Sequence, residues 1–596
     1  MYPYRAPLRE IRFTLHEILH AAHHYADIGR EDLNAEFIDS VLEEAARFAE
    51  GVVAPTNEAG DRIGVRFEDG QVITPPGFKD AYERFVEAGW AALCGPEEFG
   101  GQGLPESFGG PVGELFVSAN MSWKMYSGLT DSAVLCLERH APEHLKQLYL
   151  PKMVAGTWTG TMCLTESQSG TDLGLLRTRA EPDGEGTYRI NGTKIFITSG
   201  EHDLTGNIVH LVLARLPDAP AGTRGISLFL VPKYLPDAAG EPGEPNGVSC
   251  GRVEEKMGIH GSATCVINFQ NARGWLIGEE NAGLKCMFVM MNHARLWVGL
   301  QGLAQAERSL QASLAYARER RQGRAARGGE AGTPADLIIL HSDVRRMLLT
   351  QKALVEGSRI LTYFAGLQMD KAAYHPDPEE RRKAGDLLAI LTPIVKSFVT
   401  DAGVEVTSTG IQVHGGHGYI RETGVEQFLR DTRIACIYEG TNGVQALDLL
   451  GRKVLGSGGQ LARLLGGLIG AFCQNHAGYE ELSDYVPRLA GLLKAWSEVT
   501  ERVAQRAARD PEEVGAAAVD YLQLTGYLCL AWCWAKVAAV SIAALKREPA
   551  DRGFYEAKLA TARFYFTRLL PRADAHLDAL DAGAEPVMAL AAEHFG

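Results

Sequence analysis

Residues 187–198 read TYRINGTKIFIT, and this stretch decides how the rest of the chain is parsed. Two β-type segments flank Asn191-Gly192, a strong two-residue hairpin signal, because both residue types tolerate the positive φ of a tight turn. Strand-like runs follow at 207–216 (NIVHLVLARL), 225–233 (GISLFLVPK) and 265–274 (CVINFQNARG), with GEPGEPNG at 240–247 read as a loop. Residues 158–277 therefore predict an antiparallel β domain.

On both sides the period changes to that of helices. Phe37, Val41, Leu42, Ala45 and Phe48 recur at helical spacing and open a helical domain over 37–157, preceded by an extension at 1–36. After the β region, helices are predicted over Leu284–Arg321, Ala335–Leu367 and Lys383–Ser408, within a helical bundle at 278–456. The glycine cluster SGGQ at 457–460 opens an Ala/Leu-rich region, 461–596, that reads as a further helical domain. The fold class is α+β.

At about 100–200 residues per domain, a chain of 596 residues has room for this order. The formal charge of −15 argues against nucleic acid as the main partner, because a polyanion needs a basic face. Region 461–596 repeats that bias, with 14 Lys and Arg against 17 Asp and Glu. No apolar run is read as spanning a bilayer, and the N-terminal stretch interleaves Arg and Glu in place of a leader's apolar core. The ten cysteines are scattered without a CxxC, a pattern of reducing compartments. A cytoplasmic enzyme is expected.

His16-Glu17-Ile18-Leu19-His20 matches the HExxH pattern of zinc proteases, which needs both imidazoles on one helix face and a third ligand. His23 and His24 follow too closely to supply the extended spacing. The preferred reading is a histidine-rich amphipathic helix with no metal. No GxGxxG follows a strand, and no Walker A motif is present.

Three other pieces carry information. MCLTESQSGTDLG (162–174) offers a turn at the entry to the β region. QVHGGHGYIRETGVEQFLRD (412–431) is a glycine turn between helices. IYEGTNGVQ (437–445) sets one carboxylate, Glu439, among Ile437, Tyr438 and Gly440 before a helix start. Apolar company would raise the pKa of such a carboxylate and suit it to general-base work. Singly, each piece also fits a capped turn.

In this order and spacing, the three resemble the acyl-CoA dehydrogenase flavoproteins over about residues 37–455. The resemblance implies an N-terminal helical domain, a middle β domain and a C-terminal four-helix bundle. The extra C-terminal domain is similar to that of a larger subgroup. The activity implied is oxidation of the Cα–Cβ bond of an acyl-CoA thioester, with FAD as hydride acceptor and Glu439 as the matching base. Some relatives carry the base before the arginine that matches Arg295. Here that position is Ala294, which leaves Glu439.

By the same resemblance, Met162, Leu164, Thr165, Gly170, Thr171, Phe196 and Thr198 match flavin-binding positions of the middle domain. Arg320, Gln412, Gly415, Gly416, Thr441 and Asn442 match positions that reach the rest of FAD, partly across a subunit interface. Arg295, Thr171 and Gly440 match substrate positions. Phe196 stands where Trp is common, and ESQSGTD keeps only Glu, Gly and Asp of the common EPGAGSD. Electron-transferring flavoprotein is the implied electron acceptor, and a homodimer the implied assembly. An oxygen-using acyl-CoA oxidase and a DNA-associated superfamily member share the motifs, and the acyl chain stays open.

Overall fold

The structure, a computed structural model, describes residues 2–329 and 331–596. The chain divides into two units, Arg47–Trp297 and Met1–Ala46 with Val298–Gly596.

In the unit Arg47–Trp297, three helices lead into the sheet: α1 (Glu106–Ala119), α2 (Met121–His140) and α3 (Glu143–Val154). Asn120 caps α2 by accepting from the Trp123 N–H. The sheet has seven strands: β1 (Trp158–Cys163), β2 (Arg179–Gly184), β3 (Thr187–Thr198), β4 (Asn207–Ala214), β5 (Ser227–Pro232), β6 (Val248–Val253) and β7 (Thr264–Ile277). Their order is β1-β4-β5-β7-β3-β2, and β6 also pairs with β7. α2 packs directly on β1. A Cβ at Gly160 would lie 2.6 Å from the Ala133 Cβ, so only glycine permits this approach.

The sheet departs from the sequence reading in three ways. It is not wholly antiparallel, since β1 and β4 run parallel. TYRINGTKIFIT is one continuous strand rather than a hairpin. The chain reverses earlier, at Asp183–Gly186, where Gly184, Glu185 and Gly186 all take positive φ. Asn191 instead serves a bulge in β7: its side chain accepts from the Asn271 N–H at 2.8 Å and donates to Asn271 Oδ1 at 3.0 Å. A Cβ at Gly192 would fall 2.4 Å from Thr178 Oγ1, so the glycine answers a close neighbour rather than a turn. Finally, the loop at 240–247 contains a short strand, Pro242–Pro245, paired with Tyr234–Pro236.

α4 (Gly283–Glu319) contains the division between the units. In the second unit, α5 (Ser342–Tyr374) and α6 (Pro378–His414) begin later or run longer than the sequence suggested. Pro378 supplies the N-terminal φ of α6, and Asp377 caps it. α7 (Glu426–Arg433) and α8 (Asn442–Leu447) follow, and the chain continues helically to Leu455. The appended region forms α9 (Gln460–His476), α10 (Val486–Ala507), α11 (Glu512–Leu545), α12 (Arg552–Phe564) and α13 (Arg572–Ala582).

α6 and α11 are both long and apolar enough to cross a membrane by composition, contrary to the sequence reading. Packing explains this composition, because a helix buried on most sides is apolar all round. α11 lies against α5, α6, α10, α12 and α13. Trp534 on α11 donates to the Ala353 carbonyl of α5 at 3.0 Å, and Gly526 admits the Phe398 ring of α6.

The N-terminal extension belongs to this same unit. Phe13 meets the Phe554 ring edge-on, and Lys558 is paired with Glu10 and Glu356. The HEILH stretch is not one helix. A π-helical turn ends at Ile18, and His20 adopts the left-handed conformation before the next helix starts at Ala21. His16 pairs with Asp39 at 2.9 Å, and Glu17 is engaged by Arg9 and Tyr555. The two imidazoles therefore do not share a helix face.

Candidate active site

In the unit Arg47–Trp297, the segment 162–178 wraps around one buried ion pair. Lys194 Nζ lies 2.9 Å from Glu166 Oε1 and also donates to the Leu164 carbonyl at 2.9 Å. The Glu166 carboxylate further accepts from the N–H groups of Arg177 and Thr178 and from the Thr178 hydroxyl. Burial alone would raise its pKa, but Lys194 and these donors hold it down to about 2. The sequence reading missed this pair. Its signal was a lysine inside an otherwise β-type apolar run.

Around that anchor the strand end is bent. The register of β3 against β7 shifts between Lys194 and Ile197, leaving Ile195 and Phe196 bulged. Phe196 takes φ 59°, uncommon for a bulky residue, and its side chain is 59 % exposed. The Ile195 N–H donates to the Thr165 carbonyl at 2.9 Å, which sets Met162–Thr165 beside the bulge. Met162 and Leu164 pack partly on the core, while Gly170 and Thr171 are exposed at the tip of the turn. Thr198 pairs with Thr264 and is half-buried. Arg295 is buried on α4, hydrogen-bonded to Asn292 at 3.2 Å, with the Phe288 ring nearby.

In the second unit, Glu439 sits on a tight turn. It takes φ 57° and Gly440 takes φ 86°. Lys396 of α6, wholly buried, donates to the Gly440 carbonyl at 2.8 Å and to Asn442 Oδ1 at 2.9 Å. Asn442 in turn donates to Asp401 at 2.7 Å. Its side chain thus holds the turn on α6. Thr441 caps α8. Glu439 is half-buried, as are Tyr438 and Gly440 beside it, while Ile437 is exposed.

Elsewhere in this unit, Arg320 lies just beyond the end of α4, and Gln412, Gly415 and Gly416 lie at the end of α6, all exposed. Tyr316, one turn before Arg320, stacks on His414 at 4.5 Å between ring centres and so draws the two ends together. A Cβ at Gly415 or Gly416 would meet nothing within 4 Å.

These features coincide with matches to known proteins. Four family models cover the chain: acyl-CoA dehydrogenase N-terminal domain at 37–157, middle domain at 161–272, C-terminal domain at 281–455, and acetyl-CoA dehydrogenase C-terminal like at 465–591. The chain belongs to the acyl-CoA dehydrogenase family. It is 44% identical to a 3-methylmercaptopropionyl-CoA dehydrogenase of Ruegeria pomeroyi, over 95% of this chain and 96% of that one. It is 34% identical to a broad-specificity linear acyl-CoA dehydrogenase of Mycobacterium tuberculosis, over 96% of each chain. A solved acyl-CoA dehydrogenase from Bacillus anthracis, complexed with FAD, superposes with a TM-score of 0.72 over 93% of this chain and 89% of that one at 22% identity, a likeness of fold. As an acyl-CoA dehydrogenase family member, the chain is an oxidoreductase, with the family's helical, β and helical domains followed by the extra helical region.

Proposed function

We propose that the protein is an FAD-dependent dehydrogenase that converts an acyl-CoA thioester to the trans-2-enoyl-CoA, with Glu439 as the base for the α proton. The observation that carries this reading is the Glu439 turn, held in a left-handed conformation and pinned by Lys396. Strain of this kind, maintained by buried hydrogen bonds, is concentrated at functional positions.

The residues of each unit also fit a flavin. The outward-facing Phe196 offers a planar apolar surface beside Met162–Thr165 and Thr198. The exposed turns at Gly170–Thr171 and Gly415–Gly416 leave backbone room for a phosphate-bearing chain. FAD, when bound, supplies the acceptor for the hydride that leaves Cβ. The Glu439 carboxylate takes the α proton, and its backbone N–H donates to the thioester oxygen as enolate charge develops. Arg295 binds the substrate, with Gly440 and Thr171 as further substrate contacts. The exposed Arg320 and Gln412 serve FAD across a homodimer interface. Electron-transferring flavoprotein accepts the electrons, and the enzyme works in the cytoplasm.

Anaerobic addition of acyl-CoA to the FAD-loaded enzyme should bleach the flavin absorbance. The bleached enzyme should reoxidise slowly in air and rapidly with electron-transferring flavoprotein. Fast reoxidation by oxygen would assign it as an oxidase instead.

A further inference from the structure

The first residues of the chain lie against α4 within the second unit, and no assignment so far uses them. Arg308 of α4 donates from Nη2 to the Tyr2 carbonyl at 2.8 Å. Gln311, almost one turn further on, holds Arg5 at two points: its Nε2 donates to the Arg5 carbonyl at 2.7 Å, and its Oε1 accepts from the Arg5 N–H at 3.2 Å. Between these two grips, the ring of Pro3 fixes φ and stiffens the segment. Tyr2 also reaches past them. Its hydroxyl donates to Glu319, the last residue of α4, and its ring meets that of His414 at 6.0 Å between centres.

Arg308 is the costly member of this set. It is buried, yet among the described residues no carboxylate pairs with it, and its Nε and Nη1 make no hydrogen bond. The rings of Tyr4 and Phe428 lie 5.5 and 5.3 Å from its guanidinium carbon. Burial lowers its pKa to about 10, so it stays charged at neutral pH. A buried cation without a counter-charge destabilises a fold. Among the described residues its hydrogen-bond acceptor is the Tyr2 carbonyl, so what Arg308 returns for that cost is its hold on the start of the chain.

The two groups that Tyr2 touches each stand next to a residue assigned to FAD. Glu319 directly precedes Arg320, and His414, itself buried, directly precedes Gly415. His414 stacks on Tyr316, whose carbonyl accepts from the Arg320 N–H at 2.9 Å. Resting on the function proposed above, in which Arg320, Gln412, Gly415 and Gly416 hold FAD, we propose that residues 2–5 form a strap anchored by Arg308 and Gln311, and that Tyr2 is a positioning residue for the cofactor. The Tyr2 ring supports His414 at the end of α6 while its hydroxyl holds Glu319 at the end of α4. The strap thereby sets the spacing of the two helix ends between which FAD is held.

The test is a fluorescence titration of the full-length apoprotein with FAD, run beside a thermal melt of the same apoprotein. Tyr2→Ala should weaken FAD affinity by about tenfold, the loss of one aromatic contact and one hydrogen bond, with the melting temperature nearly unchanged. Tyr2→Phe keeps the ring on His414 and should recover part of that affinity. Arg308→Met removes the anchor and an uncompensated buried charge together. Its FAD affinity should fall while the apoprotein melts no lower than wild type, a split that a merely structural residue would not give. Wild-type affinity in Tyr2→Ala or in Arg308→Met, no recovery in Tyr2→Phe, or a loss of affinity that tracks a lower melting temperature would overturn the strap while leaving the dehydrogenase reading intact. If the wild-type protein takes up no FAD, the proposed function itself fails, and the inference with it.

Discussion

The ammonium of Lys396 and the carbonyl oxygen of Gly440 lie 2.8 Å apart inside the second unit, and this contact ties the turn carrying Glu439 to α6. Lys396→Met would leave two acceptors, Gly440 O and Asn442 Oδ1, without their charged donor. A buried acceptor without a partner costs about 1–3 kcal/mol. The urea midpoint should fall, and kcat should fall by roughly tenfold or more with the flavin spectrum retained, since a misplaced base loses rate steeply. A wild-type kcat in this variant would show that the turn holds its shape without the pin.

Glu439→Gln keeps the size of the side chain and removes its basicity. The variant should remain yellow when loaded with FAD, and anaerobic bleaching by acyl-CoA should slow by at least about a hundredfold, as loss of a general base requires. Stopped-flow absorbance reads the rate directly. Near-normal bleaching would move the base to another residue.

Phe196 holds a left-handed φ that glycine adopts without cost. Phe196→Gly should therefore leave the apoprotein as stable as wild type or slightly more so, while flavin affinity weakens by about tenfold through loss of an aromatic contact of roughly 1 kcal/mol or more. Thermal melts of the apoprotein and fluorescence titration with FAD separate the two effects. Unchanged affinity would remove Phe196 from the flavin site.

Glu166 has a pKa of about 2 in the folded protein, below an unfolded value of about 4.3. A depressed carboxylate stabilises the fold above its unfolded pKa, and that contribution is lost as pH falls from about 4.3 toward 2. Denaturant midpoints should drop over this window. Lys194→Met leaves Glu166 buried without its counter-charge, at a cost of about 3–5 kcal/mol at neutral pH. Lys194→Met combined with Glu166→Leu should recover much of that loss and flatten the acid dependence.

Gly526 of α11 faces the Phe398 ring of α6 so closely that a Cβ would sit 2.1 Å from Phe398 Cδ2. Gly526→Ala should destabilise by about 1–3 kcal/mol through overpacking, despite the better helix propensity of alanine. Equilibrium unfolding measures this. A stabilised variant would mean that α11 can shift away from α6 freely.

The domain order was readable because it depends on local period. Helical spacing around Val41 and Leu42, and the β-type runs between 187 and 274, are properties of neighbouring residues. Glu439 and Arg295 were singled out by motif order. The Asn191-Gly192 pair was misread because its signal is local and its cause is not. Asn191 pairs with Asn271, 80 positions away, and Gly192 makes room for Thr178. HEILH misled in the same way: the spacing is helical, but a π-helical turn and the left-handed His20 break the face.

By itself, the sequence determined the element types, the alternation of helical and β blocks and the family motifs, because propensity, apolar period and turn chemistry act over a few residues. Only the tertiary structure decided which polar groups share an interior. Lys194 with Glu166 and Lys396 with Gly440 are far apart in sequence, and each must be paired because an isolated charge or carbonyl cannot leave water without a partner. That requirement is met by residues the fold brings together, so it leaves no mark in the spacing of the chain.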